Sequence, residues 1–122
     1  MRDISKQQLD KIIDNHKLWL QSNGEKGERA DLSFADLSSA DLRYANLSDA
    51  DLDFSAFPLW CGGLDVHIDD RQATQLLYHL LRNIKYSKNT SAKLKRICKL
   101  KSLVKQANKF HRVEECGEIE GE

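Results

Sequence analysis

The sequence predicts an α+β protein in which a short coil of five-residue units is flanked by helices, and three observations carry that prediction. Between Ala30 and Phe54 one unit, Ala-Asp/Asn-Leu-x-x, recurs five times without a gap: ADLSF, ADLSS, ADLRY, ANLSD, ADLDF. A strict period of five matches neither the helical period of about 3.6 nor the strand period of about 2, so the path must coil and return the same side chain to the same place in each unit. Before the repeats, Leu9, Ile12, Ile13 and His16 lie on one face at helical spacing. After them, apolar residues recur at helical spacing twice, from Ala73 to Ile84 and from Ile97 to Ala107.

Each element follows in order. Ser5 and Gln8 have capping-box spacing, and Ile4 and Leu9 sit where a hydrophobic staple would place them, so a helix is expected to begin near Lys6. It should end between Asn15 and Gln21, with Leu18, Trp19 and Leu20 completing it or running on as a short strand. Gly24 and Gly27 supply turn residues before the repeats. In the repeats the leucines and small alanines point inward, while the Asp/Asn and the trailing pair point outward. The pattern frays after Phe54, and Pro58 and Gly62-Gly63 break it. Asp69 or Asp70 can cap the next helix, with Ala73, Leu76, Leu77, Leu80, Leu81 and Ile84 as its apolar face. Lys88-Asn89-Thr90 reads as a turn. A last helix is expected from about Ser91 to Asn108, with Ile97, Leu100, Leu103, Val104 and Ala107 inward; from Gly117 the tail is expected to be mobile.

The repeats resemble the pentapeptide-repeat family, which implies a right-handed quadrilateral β-helix with four units to a coil. On that resemblance Ala30, Ala35, Ala40, Ala45 and Ala50 take the small inward position, and Leu32, Leu37, Leu42, Leu47 and Leu52 the large one. The segments NHKLWL, FPLWCGGLDVHID, LLYHLL and NKFHRVEECG are similar to a subgroup of short bacterial and prophage pentapeptide proteins, which implies a phage or mobile-element setting. Five to six units give about one and a half coils, too few to bury both open ends. The flanking helices must then cap the coil, with Trp19, Phe57, Leu59 and Trp60 as plugs. The 122 residues read as a single domain: a cap helix over 1–23, the coil over 24–64, a basic helical segment over 65–112 and an acidic tail over 113–122.

No run of 18 apolar residues occurs and the first fifteen residues are polar, which predicts no membrane span or secretory signal and a cytoplasmic location in a bacterial host. Three cysteines cannot all pair within one chain, and without a signal the expectation is reduced thiols. The formal net charge is zero, but it is segregated. Residues 24–70 hold 11 acidic and 3 basic side chains; residues 71–112 hold 12 basic and no acidic ones; the last ten add five Glu. Such asymmetry concerns partner choice rather than fold.

Three groups are candidate sites. The first is the outward acidic set Asp31, Asp36, Asp41, Asp49, Asp51 and Asp53. Some family members, including those that protect gyrase from quinolones, present long acidic coils that imitate duplex DNA. Here a coil and a half rises only about 7 Å, the length of about two base pairs, so the acids read either as a short patch for a basic protein surface or as side chains that satisfy the coil's own corner amides. The second is the basic set Lys93, Lys95, Arg96, Lys99, Lys101, Lys105 and Lys109, suited to phosphate but with few aromatics for base stacking. Its alternatives are a partnership with the acidic coil, within the chain or in a homodimer, or a solvated helix face. The third is Cys61, His79, His111 and Cys116, two Cys and two His that could hold a tetrahedral zinc, although no two of them have ligand spacing. Packing of Cys61 and helix-edge hydrogen bonds for the histidines are the other reading, and no metal or other cofactor is expected. The chain has no phosphate-binding glycine loop, nucleophile elbow or H-E-x-x-H motif.

These features predict a non-enzymatic protein acting by surface recognition. The first reading is a phage or mobile-element inhibitor of a bacterial nucleic-acid-handling machine, a protein or ribonucleoprotein such as a CRISPR defence complex. Alternatives are an electrostatic nucleic-acid binder and a structural adaptor that oligomerises, stabilised by metal or not.

Overall fold

The computed structural model describes residues 1–121. The chain divides into two compact units, Met1–Asp69 and Asp70–Glu122, each with its own apolar core. The boundary falls at the start of a helix.

In the first unit β1 (Arg2–Asp3) leads into α1 (Lys6–Gln21). Ser5 and Gln8 form the expected capping box: the Gln8 amide donates to the Ser5 hydroxyl at 3.1 Å, and the Ser5 amide donates to the Gln8 side chain at 2.9 Å. Leu9 is buried and Ile4, Ile12 and Ile13 pack against the repeat leucines, so the amphipathic face of α1 closes one end of the coil. Trp19 and Leu20 finish the helix rather than start a strand. At Gly27, with φ +68°, a Cβ would overlap the Asn15 carbonyl oxygen, so only glycine fits where the chain leaves α1.

The repeats then wind as the period of five requires. Each unit ends in a turn closed by a backbone bond from the next unit's first amide to the leucine carbonyl, as from Ala40 to Leu37 at 2.9 Å and from Ala50 to Leu47 at 2.9 Å. The chain comes back alongside itself, in parallel, after twenty residues: Asp31 bridges to Asp51 and Asp36 to Ala56. Leu32, Leu37, Leu42 and Leu47 are buried in the interior, each removed from water at about 1.5–3 kcal/mol. On the outer edge of the first coil, β1 pairs in parallel with β2 (Ala35–Asp36) in the register Arg2↔Ala35, Asp3↔Asp36.

The coil runs further than the repeats. Pro58 to His67 carries the chain round again through a 3-10 turn at Cys61–Gly63, and Leu42 donates to the Gly62 carbonyl, Tyr44 to Asp65 and Leu47 to His67. Asn46 bridges to His67, a return of twenty-one residues, so the irregular segment completes nearly two coils where one and a half were expected. Phe57 and Val66 take inward places that the missing units would have filled with leucine. Two expected plugs are corrected: Leu59 is 98% exposed and Trp60 half exposed, because the 3-10 turn puts buried Gly62 against the coil instead. Trp19, also expected as a plug, stacks on His16 at 5.7 Å.

The second unit holds α2 (Asp70–Tyr86), α3 (Ala92–Lys95), a 3-10 turn (Arg96–Lys99), α4 (Lys101–Ala107) and α5 (Val113–Cys116). The single helix expected over 91–108 is thus broken, at Leu100, whose backbone is extended. Its core needs explain the break. Cys98 and Val104 both enter the same core, yet six helical residues separate side chains by about 240°, so a straight helix could not bury both. The break resets the phase and leaves Leu100 exposed. The face of α2 is also rotated from expectation: Tyr78, Leu81 and Ile84 are buried, while Ala73, Leu76 and Leu80 are exposed. Tyr78 decides this, stacking on Phe110 at 4.7 Å.

The expected mobile tail is instead anchored. Ile119 is 2% exposed within the core of Leu81, Cys98, Val104 and Ala107. Asn108 holds its backbone through two bonds, donating to the Ile119 carbonyl at 2.9 Å and accepting from the Ile119 amide at 2.8 Å.

Candidate interaction surfaces

The acidic set is built into the coil. Asp31, Asp36, Asp41, Asn46 and Asp51 each turn a side-chain oxygen back on the backbone amide two residues ahead, at 2.9–3.2 Å, closing an Asx turn in every unit. For Asp31, Asp36 and Asp41 these bonds favour the ionised carboxylate. The Ser33 hydroxyl and then the Ser33 amide hold Asp31 below the usual carboxylate range, and Ser38 does the same for Asp36. For Asp41 the Arg43 guanidinium and then the Arg43 amide bring the pKa down to about 2; the two side chains meet at 2.7 Å. Because the chain returns after twenty residues, Asp31 and Asp51 lie on one side of the coil while Asp36 and Asp41 lie on others. Asp49 is exposed, and its amide donates to the Asp69 carboxylate at 2.6 Å; Asp51 and Asp53 are half-buried. The six residues therefore belt the coil rather than form one plane.

Beside this belt lies a cavity of about 420 Å³. Leu9, Leu37 and Ala40 contribute apolar lining, Trp60 lies at its wall, and Asp3, Asp10, Asp36 and Asp41 add carboxylates. Sequence reasoning did not single out this cavity, because Asp3 joins it through the β1 pairing and Asp10 through the packing of α1 on the coil.

Exposed aromatics were also not singled out. Phe34, Tyr44 and Phe54 close units one, three and five with φ of 59°, 67° and 61°, a backbone region that bulky side chains avoid. Phe34 and Phe54, one return apart, stack at 4.7 Å on the surface. Their signal was in the sequence: an aromatic recurs in the fifth place of alternate units.

The basic set is divided by the break at Leu100. Lys99, Lys101, Lys105 and Lys109 rim a groove of about 650 Å³. Lys93 and Arg96 are exposed on the turns before it. Lys95 points elsewhere: half-buried, its ammonium donates to the carbonyls of Ile84 (3.2 Å) and Ser87 and to the Thr90 hydroxyl, satisfying the end of α2.

The Cys/His set is distributed between the units. Cys61 lies in the first; His79, His111 and Cys116 lie in the second. His79 engages the Gln75 carbonyl through Nδ1 at 2.7 Å and meets Phe110 edge-on at 5.4 Å. Among the described residues no three His, Cys, Asp or Glu side chains come together as a metal-holding group. Nor, among them, is any helix long and apolar enough to cross a membrane.

One buried histidine does structural work that its helical spacing alone did not specify. His16, fully buried, accepts the Ala30 amide on Nδ1 at 3.0 Å and meets the Ser48 carbonyl with Nε2 at 2.7 Å. An acceptor at Nδ1 fixes the hydrogen on Nε2, so the neutral ring joins the first and last strands of the first coil.

Residues 28–57, about a quarter of the chain, match a family model described as pentapeptide repeats (8 copies). No curated protein and no solved structure matches the chain. Repeats of this type imply a β-helix and suggest a protein-interaction module. The stretch that carries the acidic belt is thus similar to pentapeptide repeats over residues 28–57.

Proposed function

We propose that this protein is a non-enzymatic interaction module whose repeats form a right-handed, four-sided β-helix, and that it acts in the cytoplasm of a bacterial host as a phage or mobile-element inhibitor of a nucleic-acid-handling machine. One observation carries the reading. The acids and bases that cancel over the chain divide between the two compact units: Met1–Asp69 holds thirteen acidic and seven basic residues, and Asp70–Glu122 holds six acidic and twelve basic, formal charges of −6 and +6. A nucleic-acid machine offers complements to both, basic surfaces that normally hold phosphate and the phosphate itself. A CRISPR effector is one target of that kind. Affinity capture from a bacterial lysate should recover a nucleic-acid enzyme or ribonucleoprotein, and expression should lower restriction of phage; capture without such a partner, with restriction unchanged, refutes the proposal.

A second reading, direct nucleic-acid binding, is favoured by the four lysines that share one groove. It expects affinity to fall steeply with salt and to be lost when Lys99, Lys101 and Lys105 are changed to Glu. A gel shift indifferent to those changes removes it.

A further inference from the structure

The lysine-rimmed groove has one wall made by the chain's own segment, Glu118–Gly121, with Ile119 seated in the core beside it. Glu118, Ile119 and Glu120 line it together with Lys99, Lys101, Lys105 and Lys109. The way this segment is held is the chemistry of peptide recognition. Asn108 presents its amide as a neighbouring strand would present a peptide group, taking one backbone N–H and giving one N–H to the same residue. Further contacts also read backbone alone: the Lys85 ammonium donates to the Glu120 carbonyl, and the Glu120 amide donates to the Tyr86 hydroxyl at 3.3 Å. Backbone contacts give affinity without regard to sequence, and side-chain pockets give the choice. Here a single pocket, in the core of Leu81, Cys98 and Val104, takes Ile119. The residues on either side of Ile119 are exposed carboxylates that line the groove with the lysines.

The segment leaves α5 through Gly117 at φ +92°, where the Tyr78 hydroxyl donates to its carbonyl at 2.5 Å. Ahead of that point the chain is tied down, for Arg82 donates to the Cys116 carbonyl. Beyond it one apolar side chain, one asparagine and a set of charges hold the strap.

We propose that the seat of this segment, on Asn108 and the core beside the groove, is a peptide-docking site occupied in cis, and that it takes in trans an acidic segment of a partner protein with one branched aliphatic residue between two carboxylates. This rests on the interaction-module reading and names the chemistry of one partner segment. Charge complementarity argues for it, since the second unit is strongly basic and its resident strap is acidic. The strap competes as a tethered ligand with an effective concentration of about a millimolar, so this seat is masked against weak encounters and opens only to segments that match it.

The experiment uses the full chain and a fluorescein-labelled peptide of residues 115–121 with serine for the cysteine, read by anisotropy. Ile119→Ser empties the pocket while leaving the groove intact. The peptide should bind this variant at least about tenfold more tightly than the unaltered chain, from which it must displace the strap. Binding should be lost when Asn108→Leu is added, when the peptide carries serine in place of isoleucine, and when salt is raised. A variant with unaltered helical circular dichroism that takes no peptide overturns the proposal. If Ile119→Ser does not fold, isotope-labelled unaltered protein is titrated with the peptide to several millimolar: movement of the Asn108 side-chain amide signal supports trans docking, and a still spectrum overturns it. Because the probe is the chain's own sequence, failure to capture a nucleic-acid machine leaves this result standing, and the reverse also holds.

Discussion

Replacing His16 tests the assembly of the first unit. Its imidazole is the partner of the buried Ala30 amide at 3.0 Å and of the Ser48 carbonyl at 2.7 Å. His16→Leu keeps most of the volume but orphans both. A buried group left without its partner costs about 1–3 kcal/mol. Ala30 is buried and Ser48 half-buried, so about 2 kcal/mol for the first and about 1 for the second give about 3 kcal/mol in all. His16→Ala adds a cavity beneath Trp19 and should reach about 4–5 kcal/mol, a large part of the stability of a small domain. The stacked Trp19 ring reports directly, so urea unfolding followed by its fluorescence in a Trp60→Phe background reads both variants. The ordering matters most: if His16→Leu lost less than about 1 kcal/mol, the histidine would be packing rather than joining strands, and the account of the coil's closed end would be wrong.

Other outcomes follow from the same geometry. Tyr44 is 74% exposed with φ +67°, so Tyr44→Asn should raise stability by about 0.5–1 kcal/mol; a loss of stability would show that the aromatic is held there by contacts of its own. The carboxyls of Asp31, Asp36 and Asp41 have pKa values below 3.8, so between those values and 3.8 the unfolded chain binds more protons than the folded one. Stability should therefore be constant above about pH 5 and fall as pH drops from about 4 toward 2. The triple change to Asn, which keeps the turn acceptor as native Asn46 does, should flatten that fall in acid titrations followed by circular dichroism. Lys95→Gln should cost about 1–2 kcal/mol through the uncapped end of α2, whereas Lys101→Gln stays within about 0.5, a contrast that paired thermal melts will read.

The sequence made the coil legible because its period is imposed by geometry: one residue out of step would turn a leucine outward, so Leu32 to Leu52 recur without error. The capping box of α1 was legible for a similar reason, its partners being three residues apart. What stayed hidden depends on distant partners. Pro58 to His67 looks like a broken pattern, yet it closes the second coil because Leu42, Tyr44 and Leu47 wait for its carbonyls. The break at Leu100 is set by where Cys98 and Val104 must go, and that core belongs to α2. A lone isoleucine among glutamates reads as a solvated tail until Asn108 and the core beneath it are in place. The candidate sites divided in the same manner: the acids disclosed their turn-closing role through their regular position, and Lys95 concealed its capping role within a run of similar lysines.

The twenty-residue return gives the first unit an arithmetic of its own. Every Asx turn is closed within three residues, so no repeat depends on a particular neighbour along the chain. Inserting four units adds a full lap and brings Asn46 back beneath His67 in phase. Inserting one unit shifts everything downstream by a quarter of a lap and sets the strands that follow Phe57 against the wrong partners. Whole laps are thus interchangeable parts and single units are frameshifts of the fold, so natural or engineered length variants should come in steps of twenty residues.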